Sequence, residues 1–147
     1  MGRFVFIVII LLVAISINGC SKSGDEAYGS KEAIKRGDVV YQNEVVNLER
    51  FEKFLINLSN KKEDTIRVTG YTHEGDPIFQ DLRFDGEDIH YTYDNSNDEY
   101  AGEDKGKESD VCKEVIGKEN TQGEIEYLII GCSKNFERIL IKVGKNH

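Results

Sequence analysis

At residue 64 the hydrophobic pattern of this chain changes period, and that change limits the fold more than any other feature. Before it, Phe51, Phe54, Leu55 and Leu58 recur at three- and four-residue spacing, which places them on one stripe of a helix over Leu48–Leu58. Glu49, Arg50, Glu52 and Lys53 fill the other side, and Asn47 stands where an N-cap is needed. After it, Ile66, Val68 and Gly70 alternate with Arg67, Thr69 and Tyr71, the two-residue period of a strand with unlike faces. Ile78, Leu82 and Phe84 share one face of a second strand, with Gln80 between them, and Ile89, Tyr91 and Tyr93 share one face of a third. Glu74-Gly75-Asp76-Pro77 marks the first turn of this meander. Asp85-Gly86 marks the second as a type I′ hairpin turn.

The flanking segments extend the same architecture. Ser30 reads as the cap of a short helix over 31–36, ended by Gly37. Residues 111–117 and 124–132 read as two more strands joined at Asn120–Gly123, the second being the most continuously apolar part of the chain after residue 20. A last strand over 137–143 places Ile139, Ile141 and Val143 on one face. The expected fold class is α+β: a short N-terminal helix and one amphipathic helix packed on an antiparallel sheet of about six strands.

The N-terminus belongs to a different layer of meaning. Arg3, the apolar run Phe4–Ile15 and the close Ile17-Asn18-Gly19-Cys20 resemble a bacterial lipoprotein signal peptide with its lipobox. The run is shorter than the roughly 20 apolar residues of a membrane span. The resemblance implies export, cleavage before Cys20, a diacylglycerol on the Cys20 sulfur with palmitate-type acyl chains, and a place on the outer face of the cell membrane. Two acyl chains on one residue hold a protein firmly, where a single chain binds only marginally. The organisation expected is therefore a signal peptide over 1–19, a flexible Gly- and Ser-bearing tether over 20–30, and a single α+β domain over 31–147.

Charge narrows the partners. Arg3 is the only charged residue among the first 19, so the remainder has 18 basic and 27 acidic residues, a net charge of −9. Such a chain is repelled by nucleic acid, whose affinity comes mainly from phosphate neutralisation, and by anionic head groups. The partners expected are the membrane, through a lipid on Cys20, and an unidentified envelope protein or ligand, with no nucleic acid. With Cys20 lipidated, Cys112 and Cys132 remain as an even pair that export would allow to form a disulfide, across two neighbouring strands of a hairpin; two buried free thiols are the other reading.

No cofactor loop or nucleophile–base pair stands out, so a non-catalytic binding or interaction module is the first reading and no cofactor is expected. A small envelope hydrolase using carboxylates such as Asp76, Asp81, Asp85, Glu87 and Asp88 is a second reading. A calcium-binding module is a third, through the acidic, glycine-bearing loop over 94–106, in which Asp94, Asp98, Glu103 and Asp104 could supply oxygens. Tyr71, Tyr91, Tyr93 and Tyr100 cluster around the meander and this loop and form a candidate interaction surface, since tyrosine combines apolar area with a hydroxyl.

Four stretches also carry a family likeness: Glu32-Ala33-Ile34-Lys35-Arg36-Gly37-Asp38-Val39-Val40, Leu48-Glu49-Arg50-Phe51-Glu52-Lys53-Phe54, Tyr71-Thr72-His73-Glu74-Gly75-Asp76-Pro77-Ile78 and Tyr91-Thr92-Tyr93-Asp94-Asn95. The chain resembles small lipoproteins of Bacillus and relatives that carry a domain of unknown function, the DUF4362 family. The likeness supports the extracytoplasmic location and the single domain. It assigns no catalytic or binding residue.

Overall fold

The computed structural model describes residues 28–42 and 44–144. The signal peptide, Cys20 and most of the expected tether lie outside the described residues. Among the described residues two α-helices and nine strands follow in the order α1 (Ser30–Arg36), β1 (Val39–Tyr41), β2 (Val45–Val46), α2 (Leu48–Ser59), β3 (Asp64–Tyr71), β4 (Pro77–Phe84), β5 (Ile89–Asp94), β6 (Lys107–Cys112), β7 (Glu114–Glu119), β8 (Ile125–Ile130) and β9 (Arg138–Val143), with a single 3-10 turn at Gly102–Asp104 between β5 and β6. Six strands form one sheet in the order β2-β1-β3-β4-β5-β6, and three form a second in the order β7-β8-β9. The class is α+β, as the periodicities require.

The large sheet is mixed. β1 pairs with β3 in parallel while every other pairing is antiparallel. Parallel neighbours need a long crossover, and the segment holding β2 and α2 supplies it. α2 buries Phe51 and Phe54 completely, with Leu55 and Leu58 partly buried beside them, against Val39, Ile66, Val68, Leu82, Phe84 and Ile89. Each such phenylalanine contributes roughly 1.5–3 kcal/mol by burial. The start of β3 is pinned to α2 by Arg50, whose guanidinium gives two hydrogen bonds to Asp64 (2.6 and 3.1 Å), and by Asn57, which donates to the same carboxylate at 2.8 Å.

Local chemistry departs from expectation at both helix starts. Gly29, not Ser30, occupies the cap position of α1. Asn47 sits at the cap position of α2 with φ 60° and makes no capping bond. Its side-chain amide instead donates to the Asp38 carbonyl at 2.8 Å, tying the α2 entrance to the end of α1. Tyr28, expected within the tether, belongs to the fold. Its ring meets Phe79 edge-on at 5.1 Å and its hydroxyl donates to Asp38 Oδ2 at 2.8 Å. Thr69 donates to the same oxygen, so this buried carboxylate is satisfied.

The remaining differences concern strands. Phe84 pairs with Ile89, leaving Asp85–Asp88 as a four-residue turn in which Gly86 alone takes a positive φ, 99°; a type I′ turn would need two such residues. β6 starts at Lys107, four residues before the strand expected over 111–117, because Lys107–Asp110 pair with β5. β6 and β7 are one run of chain interrupted at Lys113, where it leaves the large sheet for the small one. At that crossing Lys113 N–H donates to the Ile130 carbonyl and Ser133 N–H to the Val111 carbonyl. Gly131 stands opposite with φ 67°, and a Cβ there would lie 3.0 Å from that of Lys113. In β9 the expected face breaks. Tyr127 pairs with Ile141 but Leu128 with Ile139, so Leu140 is an extra, bulged residue. Leu140 and Ile141 are both fully buried, while Ile139 is only partly so.

Candidate functional site

The two sheets diverge at one end of the core and leave a cleft of about 600 Å³ between β9 and the inward face of the large sheet. That volume suits a small molecule or a short stretch of polymer. The floor comes from register. Tyr41 lies beside Gly70, and Gly70 beside Ile78, while Gln80 pairs with Tyr93. β9 supplies the opposite wall with Arg138, Ile139, Leu140 and Lys142, and His73 sits at the rim in the β3–β4 turn.

The polar groups of the cleft are held rather than loose. Tyr91 donates its hydroxyl to Gln80 Oε1 at 2.7 Å, and Gln80 Nε2 donates to the Ile139 carbonyl at 3.4 Å, which fixes the amide across the gap between the sheets. Arg138 lays its guanidinium 3.7 Å from the centroid of the Tyr93 ring and 5.6 Å from that of Phe136. The Glu108 carboxylate beside it lies 3.8 Å away, beyond hydrogen-bond distance. Lys142 pairs with Glu126 at 2.8 Å, and the hydrogen bond it donates to that glutamate raises the Lys142 pKa. Burial raises the Tyr41 pKa, so its hydroxyl stays a proton donor at neutral pH.

Among the described residues the cleft lining has three basic side chains and no carboxylate. That is notable in a chain with 27 acidic residues. On the far side of the Tyr93–Arg138 stack lies a second cleft of about 650 Å³, and there Glu103, Asp104 and Glu108 line the wall with Lys105 and Lys107. A third groove, of about 700 Å³, runs between α2 and β7 over Leu55, Leu58, Phe84, Val115 and Tyr127. It is larger, but it follows the outer margin of ordinary helix–sheet packing. Of these three, the inter-sheet cleft is the one with no carboxylate among the described residues of its lining.

The four candidate tyrosines do not form one surface. Tyr91 is 1% exposed and belongs to the core, because it lies on the inward face of a central strand opposite Leu82. Burial also raises its pKa. Tyr71 borders the cleft, but its hydroxyl is spent on the Tyr28 carbonyl at 2.9 Å, and burial pushes its pKa up to about 12. Tyr93 faces the cleft beneath Arg138. Tyr100 is 75% exposed, away on the loop.

The acidic loop is folded around Asn95, which is buried. Asn95 Oδ1 accepts from Gly106 N–H at 2.8 Å, and its amide donates to the Asp104 carbonyl at 3.2 Å. The candidate metal ligands go separate ways. Asp94 takes Ser96 and lies 3.6 Å from Lys107, and the Ser96 hydrogen bond holds its carboxyl below the usual range. Asp98 accepts from Tyr100 N–H, and Glu103 and Asp104 line the second cleft. Among the described residues no three His, Cys, Asp or Glu side chains are grouped so as to hold a metal ion.

Four of the five carboxylates of the hydrolase reading are likewise committed, Glu87 being the exception. Asp81 is bidentate with Arg67, and Asp88 pairs with Lys113. Asp85 accepts from the N–H groups of Asp88 and Glu87 and meets His90 at 2.6 Å. Asp76 accepts from Glu99 N–H.

Cys112 and Cys132 form a disulfide with a Cα separation of 3.8 Å. As the spacing suggested, it closes a hairpin: it sits at the open end of β7–β8, in register with the Glu114–Ile130 pair, and it also joins the end of β6 in the large sheet to the turn after β8 in the small one.

Periodicity missed Tyr41, Gln80, Arg138 and Lys142 as a set. Only Gln80 carried a local signal, being a polar residue on the inward face of the apolar strand Ile78–Phe84. A family model described as a domain of unknown function (DUF4362) matches residues 36–128. The match includes Tyr41, Gln80 and Tyr93 and stops before β9. No curated protein and no solved structure matches the chain.

Proposed function

The chain belongs to the DUF4362 family, and from that premise we propose that it is a non-catalytic binding module, held by a lipid on Cys20 at the outer face of the cell membrane. The inter-sheet cleft is its binding site. One observation carries this reading: the cleft gathers Tyr41, Gln80, Tyr93, Arg138 and Lys142 around about 600 Å³ of space. The signal-like segment before Cys20 supports the location, and a disulfide suits an oxidising compartment. Asp76, Asp81, Asp85 and Asp88, four of the five carboxylates a hydrolase could draw on, are occupied by cations or backbone N–H groups, which favours binding over turnover.

The test is a titration of the purified full chain, in detergent, with fragments of envelope polymer. NMR would follow Tyr41, Gln80 and Tyr93, and chromatography would follow the fragments. Shifts gathered at the cleft with fragments recovered intact support the reading. Fragment cleavage would replace binding with catalysis, and shifts scattered over the surface would remove the cleft as the site.

A further inference from the structure

We infer that the inter-sheet cleft recognises a carboxylate, on a ligand of about the size of a short peptide, through the guanidinium of Arg138. This deepens the binding reading above and rests on it. Arg138 is held by its stack on Tyr93, 3.7 Å from the ring centroid, and by the neighbouring Tyr91 hydroxyl, and not by hydrogen bonds to a protein carboxylate. Glu108 Oε2, at 3.8 Å, balances its charge in part without occupying the donor fork. A planar fork that is already oriented and still has donors to give is suited to a planar carboxylate, which it can hold by two parallel hydrogen bonds.

Two clefts meet at this arginine, and charge selects between them. The one on the loop side sets Glu103, Asp104 and Glu108 against Lys105, Lys107 and Arg138, so its charges cancel and an anion gains no net attraction there. The inter-sheet cleft has Lys142 and His73 in its lining and no carboxylate among the described residues. The balance of charge around Arg138 and Lys142, each with one glutamate beside it, fits a singly charged ligand better than a phosphate of higher charge. Gln80 and the Tyr41 hydroxyl stand in the same cleft and can meet amide groups next to the carboxylate.

The experiment uses the full chain in detergent and three probes: N-acetyl-alanylalanine, its C-terminal amide, and glycerol phosphate. The free acid should bind with NMR shifts at Tyr41, Gln80 and Tyr93, and the amide should bind at least ~10-fold more weakly, the usual scale for losing a charge-assisted hydrogen bond. Arg138→Gln should reduce the acid to the level of the amide, and Arg138→Lys should recover only part of the loss. Equal binding of acid and amide, an unaffected Arg138→Gln protein with an unchanged melting curve, or no binding of the acid would each overturn the inference. Tighter binding of glycerol phosphate than of the acid would overturn the carboxylate assignment. The acid–amide comparison on the unmodified protein decides the matter even if the variants fail to fold. If envelope fragments shift the cleft signals while the acid does not, the carboxylate falls and the binding site stands. If neither does, both fall.

Discussion

Cys112 and Cys132 fasten the small sheet to the large one at the point where the chain crosses between them. The bond lies within the core cluster, next to the Lys113–Ile130 and Ser133–Val111 backbone hydrogen bonds. Replacing both cysteines with alanine should destabilise the protein by about 3 kcal/mol in the chain-entropy account of a loop of this length. Chemical denaturation of the two proteins measures the difference. Hydrogen exchange should rise first in β7–β9, and uniform loss across both sheets would show that the bond does not hold the small sheet in particular.

Phe54 is fully buried beneath α2 and has no polar role. Phe54→Ala should cost about 3–5 kcal/mol, the range for emptying a buried aromatic site. Ile56, on the exposed side of the same helix, is the control, and Ile56→Ala should leave the melting curve almost unmoved.

Asp64 ties β3 to α2. Burial works against its charge, but hydrogen bonds from Arg50, Asn57 and Thr65 N–H together hold its carboxyl below the usual range. A lowered folded-state pKa means that the stabilisation is complete above the ordinary value of 3.8 and is lost as pH falls through the lowered one. Asp64→Ala should cost about 2–3 kcal/mol at neutral pH, since it leaves Asn57 and part of the Arg50 fork without an acceptor. The gap between variant and parent should close as acid denaturation proceeds. A gap independent of pH would mean that the pair contributes through packing alone.

Asn95 closes the acidic loop through its own N–H and both ends of its side-chain amide. Asn95→Ala should cost about 1–3 kcal/mol and raise amide exchange over residues 96–106. Calcium should not rescue it, because the loop carboxylates are not gathered. Restoration of stability or protection by calcium would revive a metal role for Asp94, Asp98, Glu103 and Asp104.

Cys20→Ala should move the protein from the membrane fraction to the soluble fraction and abolish the acyl mass at the N-terminus. Fractionation and intact mass measure both. An unmodified Cys20 in the mature parent protein would end the lipid-anchor proposal.

Much of the fold was legible because its signals are local. The α2 stripe needs only 3.6-residue spacing, and the β3–β4–β5 meander needs only alternation and the turn residues at 74–77 and 85–86. Lys107, Glu108, Ser109 and Asp110 carry no apolar face and gave no strand signal; their pairing partner, β5, made them a strand. Periodicity also assigned Ile139 to the inward face of β9, and a bulge at Leu140 gave that place to its neighbour.

Sequence by itself determined most of the helical and extended segments, most of the side chains that enter the core, and that an even pair of cysteines follows Cys20. Only the tertiary structure decided that the strands divide into two sheets, that the disulfide joins them, and that Arg138 lies on Tyr93 above a cleft floored by Gly70 and Gln80. The physical reason is range. Periodicity records how a residue faces its own element, whereas a site assembled from β1, β3, β4, β5 and β9 depends on register and sheet divergence between residues up to about a hundred positions apart, and no short window of sequence contains that information.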